Sequence, residues 1–216
     1  MLRFREVRMY NILACQQGRM QRGGGRWGMV RNYVVPGLWL LWAAYWKATA
    51  SRVKPSARRA GGFGYCAQVA ALAVAGALLL APSDLFTGFG ARFFPAGDGL
   101  FWTGTGLTAV GLLFAAWARR QLGTNWSGPV TIKRGHELVT TGPYALARHP
   151  IYSGLLVAFA GSALSLGEWR GLAAVVIAGI ALWSKLTKEE RWLLEEFGPA
   201  YEAYRDRVRA LIPYFL

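Results

Sequence analysis

Apolar residues in this chain come in blocks long enough for helices, broken by short segments rich in charge, glycine and proline. Residues 65–81 (YCAQVAALAVAGALLLA) and 99–118 (GLFWTGTGLTAVGLLFAAWA) each approach the ~20 residues that a helix needs to cross a bilayer. Residues 151–166 and 171–184 are shorter and flank GEWR, so they predict a tight helical hairpin with Trp169 as an interfacial anchor. Residues 33–45 predict a first span, crowded at its ends by Pro36 and Lys47. Further on, LTKEERWLLEEF (186–197) predicts a helix ended by Gly198-Pro199. A second short helix follows, with Tyr201, Tyr204, Val208 and Leu211 on its apolar side. The pattern predicts an all-α, polytopic membrane bundle of four or five spans with a small C-terminal helical cap.

Composition supports that class. The chain is 54% hydrophobic and holds ten tryptophans, above the ordinary globular balance. Its net charge of +14 suggests nucleic acid at first sight, but the cations lie between apolar runs rather than along one polar face, as in the cytoplasmic loops of membrane proteins. Arg52, Lys54, Arg58 and Arg59 precede the second block, and Arg119, Arg120, Lys133 and Arg134 follow the third, which puts these loops and the C-terminal tail in the cytoplasm. Asp98 and Glu168 fall on the other side. The first span then strands seven arginines, from Arg3 to Arg31, outside. Either Met29 is the true start, or the first segment re-enters and leaves both ends inside. Residues 1–28 have no apolar periodicity and read as a basic disordered tail. Cys15 and Cys66 imply no disulfide framework, and His136 and His149 lack partners at metal-ligand spacing.

The chemistry gathers in TGPYALARHPIYSG (141–154), immediately before an apolar run. Gly142-Pro143 and His149-Pro150 stop a helix from running through, so this doorway is irregular backbone at the membrane edge. Such backbone persists there only when protein or a wet cavity covers it. Pro150 suits a first helical turn, whose free N–H groups favour an anionic ligand group. Two readings fit Arg148, His149 and Tyr152: interfacial anchoring and ligand binding. On helix 186–197, Leu186, Glu190, Leu193 and Phe197 share a face, with Glu189 at its border. A carboxylate on an apolar stripe is costly unless a cation or several donors meet it. Glu190 therefore predicts either a structural ion pair, to Arg148 or Arg205, or a ligand carrying positive charge.

GPYALARHPIYSG, a helical hairpin and then KEERWLLEEFGPAYEAYRDRVRALIP together resemble the isoprenylcysteine carboxyl methyltransferase family of membrane enzymes. The resemblance covers residues 119–216 closely and the earlier spans in general plan. It implies a catalytic region over 119–216, following N-terminal transmembrane helices over 29–118. It also implies S-adenosylmethionine as methyl donor, held by Tyr144, Arg148, His149, Tyr152 and Gly154 with Glu189 and Glu190 on its polar groups. For catalysis it points to Arg207 by the RV pattern, while helix spacing favours Arg205, with Glu190 beside them. The implied acceptor is a lipophilic carboxylate, thiol or amine. The implied setting is a bacterial inner membrane, with membrane lipid rather than nucleic acid as neighbour and the site facing the cytoplasm. Similar membrane enzymes include NADPH-dependent reductases, and a non-enzymatic subunit is the third reading.

Overall fold

The computed structural model describes residues 26–50, 56–59, 62–81, 85, 91–94, 97–123, 131–133 and 138–211. Six α-helices are present among them: α1 (Arg26–Ala50), α2 (Phe63–Leu80), α3 (Asp98–Leu122), α4 (Pro150–Leu166), α5 (Trp169–Phe197) and α6 (Pro199–Arg207). The chain divides into two compact units, Met1–Gly37 and Leu38–Leu216, with the division inside α1. The tail expected over 1–28 lies outside the described residues as far as position 25. Among the described residues two helices, α3 and α5, are long and apolar enough to cross a membrane, and α2 and α4 are shorter apolar helices.

One small departure from an all-helical fold occurs in the basic loops. Strands β1 (Ser56–Arg59) and β2 (Thr131–Lys133) pair antiparallel, with Arg58 opposite Ile132. The loop before α2 and the loop after α3 therefore meet at the same end of the bundle, as their shared positive charge predicts.

Helices α3 and α4 form the tightest contact. Gly104 and Gly111 on α3 face Gly161 and Gly154 on α4, and in each pair the two glycines are seven residues apart. A Cβ on Gly161 would stand 2.5 Å from the Thr108 nitrogen, and one on Gly111 would stand 2.5 Å from the Gly154 carbonyl oxygen. Backbones approach this closely only over small residues, the usual device where lipid supplies no hydrophobic drive between helices. Hydroxyls complete the seam. Thr108 Oγ1 donates to the Gly104 carbonyl at 2.9 Å and lies 3.1 Å from Ser162 Oγ, which also accepts Trp39 Nε1 at 3.0 Å.

The hairpin turn is a lock rather than a simple loop. Gly167 adopts the left-handed conformation (φ 66°, ψ 22°) that ends α4. Glu168, expected as a loop residue, is buried instead, because Arg170 Nε donates to its Oε2 at 2.6 Å. Arg170 is itself buried and gives Nη1 to the carbonyls of Leu78 (2.9 Å) and Ala81 (2.6 Å). It thereby satisfies carbonyls that the end of α2 would leave bare. Trp169 stays half exposed against the Phe93 ring, at 5.5 Å between centroids.

The two helices expected at 171–184 and 186–197 are one. No glycine or proline interrupts the chain between Gly179 and Gly198, so α5 continues for 29 residues from the hairpin out into the cap. Gly198 (φ 47°) breaks it, and Pro199 starts α6.

Candidate active site

Four segments build the site. A 3-10 turn, Gly142–Ala145, opens the doorway, and Gly142 needs its positive φ of 62° there. His149 caps α4 and Pro150 fills its first position. The outer part of α5 carries Glu189 and Glu190 alongside, while α6 and the strand-like segment after it close the top. Arg148 N donates to the Arg209 carbonyl (2.8 Å) and His149 N to that of Ala210 (2.9 Å). Tyr204, buried, donates its hydroxyl to the Tyr144 carbonyl at 2.6 Å.

The charged groups interlock. Glu190 Oε1 accepts Arg148 Nε and Nη2, each at 2.7 Å, and lies 3.1 Å from His149 Nε2. Glu189 Oε2 accepts the Tyr152 hydroxyl at 2.7 Å and lies 3.6 Å from His149 Nδ1, while Oε1 is 3.8 Å from Lys185 Nζ. The His149 and Tyr152 rings are parallel, with centroids 5.5 Å apart. Arg148 Nη1 also reaches the carbonyls of Val208 and Arg205. Among the described residues Glu190 Oε2 takes no hydrogen bond, and 19% of the Glu190 side chain is exposed.

Burial alone would raise the Glu190 carboxyl, but His149 and Arg148 outweigh it and hold the group at about 2. Burial likewise opposes a charged His149, yet the hydrogen bonds and charges of Glu189 and Glu190 lift the imidazole above its ordinary value. Because the folded His149 value is raised, its contribution to stability is complete below about 6.5 and fades as pH rises through the folded value. Glu190 works in the opposite sense: its contribution is complete above about 4.5 and fades as pH falls towards about 2. Melting temperature should therefore be highest between those limits, with an alkaline decline that His149→Gln removes. A wild-type melting temperature that is flat from pH 6 to 9 would contradict the charged imidazole.

Of the residues singled out by sequence, Tyr144, Arg148, His149, Tyr152, Glu189 and Glu190 come together here. Gly154 is nearby but committed to packing: a Cβ would stand 2.6 Å from the Gly111 carbonyl oxygen and 2.8 Å from the Ala115 nitrogen. Arg205 and Arg207 do not join the cluster. Both are exposed, and Arg207 Nε turns back to the Ala203 carbonyl of its own helix at 3.0 Å. Sequence reading missed Tyr201 and Lys185. Tyr201, expected only on the apolar side of the cap, is 1% exposed, and its hydroxyl lies beside Glu190 and Arg148 without hydrogen-bonding geometry to either. Burial and the Glu190 charge push its phenol well above the ordinary value, so the proton stays available for donation. Lys185 sits over the Tyr152 ring at 5.3 Å. Its place one helical turn before Glu189 was the available signal.

Residues 100–200 match the phospholipid methyltransferase family. More particularly, the chain is 34% identical to a protein-S-isoprenylcysteine O-methyltransferase of Schizosaccharomyces pombe over 114 residues, covering 50% of this chain and 47% of that one. It is 40% identical to methanethiol S-methyltransferase 1 of Bradyrhizobium diazoefficiens over 75 residues, covering 33% of this chain and 24% of that one. Its fold is similar to that of a eukaryotic intramembrane Ras methyltransferase, isoprenylcysteine carboxyl methyltransferase. The TM-score is 0.52 at 23% identity, over 68% of this chain and 52% of the other. The resemblance read from the sequence is borne out. The chain spans about half to just under two thirds of the length of the first curated relatives it matches.

Proposed function

We propose that this chain is an integral membrane methyltransferase that uses S-adenosylmethionine and acts on a lipophilic carboxylate, thiol or amine. The observation that carries the reading is the pair Glu189 and Glu190 held against Arg148, His149 and Tyr152, with Glu190 Oε2 and the Tyr201 hydroxyl left for a ligand. The donor's ammonium and hydroxyls suit those oxygens, and its carboxylate suits the cations. When bound, S-adenosylmethionine supplies an electrophilic methyl group. Glu189, Glu190 and Tyr201 orient it from the α5 and α6 side, and Tyr144, Arg148, His149 and Tyr152 from the doorway. Gly154 sets how closely the doorway helix lies on α3. The cap, sealed by Tyr201 and Tyr204, keeps water from the reacting groups.

In this reading α2, α3, α4 and the first part of α5 span the membrane, with α1 as the fifth span. The doorway and cap face the cytoplasm, across a bacterial inner membrane. Residues 29–118 form the N-terminal transmembrane part and 119–216 the catalytic region. Calorimetry on detergent-purified protein with S-adenosylhomocysteine and with NADPH tests it. Binding of the first is expected, and binding of NADPH alone would replace the methyltransferase by a reductase. The closed geometry of the Arg148–Glu190 pair favours a second reading, a purely structural ion pair, which predicts that neither compound binds.

Tyr201 gives an independent check. A buried hydroxyl without a partner is a cost that a ligand's acceptor can remove. Tyr201→Phe should weaken S-adenosylhomocysteine by about 2- to 12-fold, the range for one neutral hydrogen bond, while leaving the melting temperature equal or higher. Unchanged affinity would take Tyr201 out of the site.

A further inference from the structure

The cavity between α1 and α3 lies apart from the groups assigned to methyl transfer. It is a half-open groove of about 850 Å³, bordered by Leu41, Leu112 and Leu113 and by the aromatic rings of Trp42 and Trp117. Its lining is polar at the α3 C-terminal end, where Arg120 and Gln121 stand. The two neighbouring arginines there have different occupations. Arg119 is buried and caps helix ends, giving Nη2 to the Thr49 carbonyl at 2.8 Å and Nη1 to the Gly123 carbonyl at 2.9 Å. Arg120 is exposed, and no carboxylate among the described residues pairs with it.

We propose that this cavity is a binding site for one acidic phospholipid, its acyl chain along the leucine wall and its phosphate on Arg120. This rests on the reading of the chain as a membrane protein. Three observations favour that occupant. An aliphatic wall of this size suits a hydrocarbon chain and offers it dispersion contacts. Trp42 and Trp117 suit headgroup depth, where aromatic residues concentrate. A guanidinium matches a phosphate's paired oxygens, and acidic lipids of the cytoplasmic leaflet are drawn to such cations.

The site also touches the doorway. Gln121, which lines the polar end, donates Nε2 to Thr141 Oγ1 at 3.1 Å. Its side chain lies 3.3 to 3.5 Å from the point where a Cβ on Gly142 would stand. A headgroup at Arg120 therefore shares a neighbour with the turn that carries Tyr144, so lipid and methyl-donor sites meet through one amide.

Native mass spectrometry of the full chain, released from micelles doped equally with phosphatidylglycerol or phosphatidylcholine, tests the proposal without any donor or acceptor. Wild type should retain one phosphatidylglycerol at collision energies that strip phosphatidylcholine. Arg120→Gln should cut that retention roughly 10-fold or more, the scale of one charge-assisted hydrogen bond, whereas Arg191→Gln, an exposed cation on α5, should not. Equal retention of both lipids, or an equal loss in the two variants, would reduce the effect to general attraction by a basic chain and overturn the site. A dimer in place of a lipid adduct would also overturn it, in favour of a second copy as occupant. Because methyl transfer is not read, failure here is separate from failure of the enzymatic reading.

Discussion

Gly161→Ala is expected to cost this protein about 1–3 kcal/mol of stability, and Gly161→Val more, enough to deplete the folded form. The added carbon would stand 2.5 Å from the Thr108 nitrogen and 2.6 Å from the Gly104 carbonyl oxygen, both backbone atoms in a regular helix that cannot turn aside. Relief requires α3 and α4 to separate, and separation breaks the hydroxyl seam of Thr108 and Ser162. The opposite sign is expected one helical face away. A Cβ on Gly106 would meet nothing within 4 Å, so Gly106→Ala gains about 0.5–1 kcal/mol from helix propensity alone. Thermal melts in detergent read both. A Gly161→Ala protein as stable as wild type would mean that the α3–α4 seam is not packed as described.

The second large effect is on ligand binding. Glu190→Gln keeps the side-chain shape and removes a charge that is held at about 2. If Oε2 meets the donor, affinity for S-adenosylhomocysteine should fall roughly 10- to 150-fold, the range for a charge-assisted hydrogen bond of ~1.5–3 kcal/mol. The Arg148 pair is weakened by the same change, so the melting temperature should fall too. A structural ion pair would lower only the melting temperature. Combining Glu190→Gln with Arg148→Met removes the stranded cation and separates the contributions, since partners in one network couple strongly. Glu196→Gln, at an exposed position of the same helix, should leave both quantities almost unchanged. Normal affinity in a folded Glu190→Gln protein would remove this carboxylate from the ligand site.

Much of this architecture can be read from the chain, because its main signals are local. Apolar block length locates α2, α3 and α4 to within a few residues, and prolines at 143 and 150 mark the irregular doorway. Glu190 stands out because a charge in an apolar stripe demands a partner, and Arg148 is one of the two partners that reading offered. What escapes depends on contacts between distant segments. Glu168 reads as a loop acid because its neighbour Arg170 looks equally exposed until the end of α2 supplies carbonyls for it. Arg205 reads as inward-facing from a helical wheel, but α6 is set by Tyr201 and Tyr204, whose burial turns Arg205 out. Tyr201 is silent in the sequence, since an apolar-face tyrosine gives no sign that its hydroxyl lacks a partner. The unity of α5 is missed for a different reason. A change from apolar to charged composition at residue 185 suggests a boundary, although nothing in the backbone chemistry requires one.

That unbroken helix makes α5 a lever. Arg170, at one end, is clamped between Glu168 and the carbonyls closing α2. Glu190 is twenty residues further on, about 30 Å along the axis at 1.5 Å per residue. A tilt of about 2° about the clamped end carries the carboxylates by roughly 1 Å, a displacement that can change a reaction rate by about two orders of magnitude. In the proposed membrane setting, bilayer thickness, which sets how far such rods lean, thereby enters the alignment of the two carboxylates.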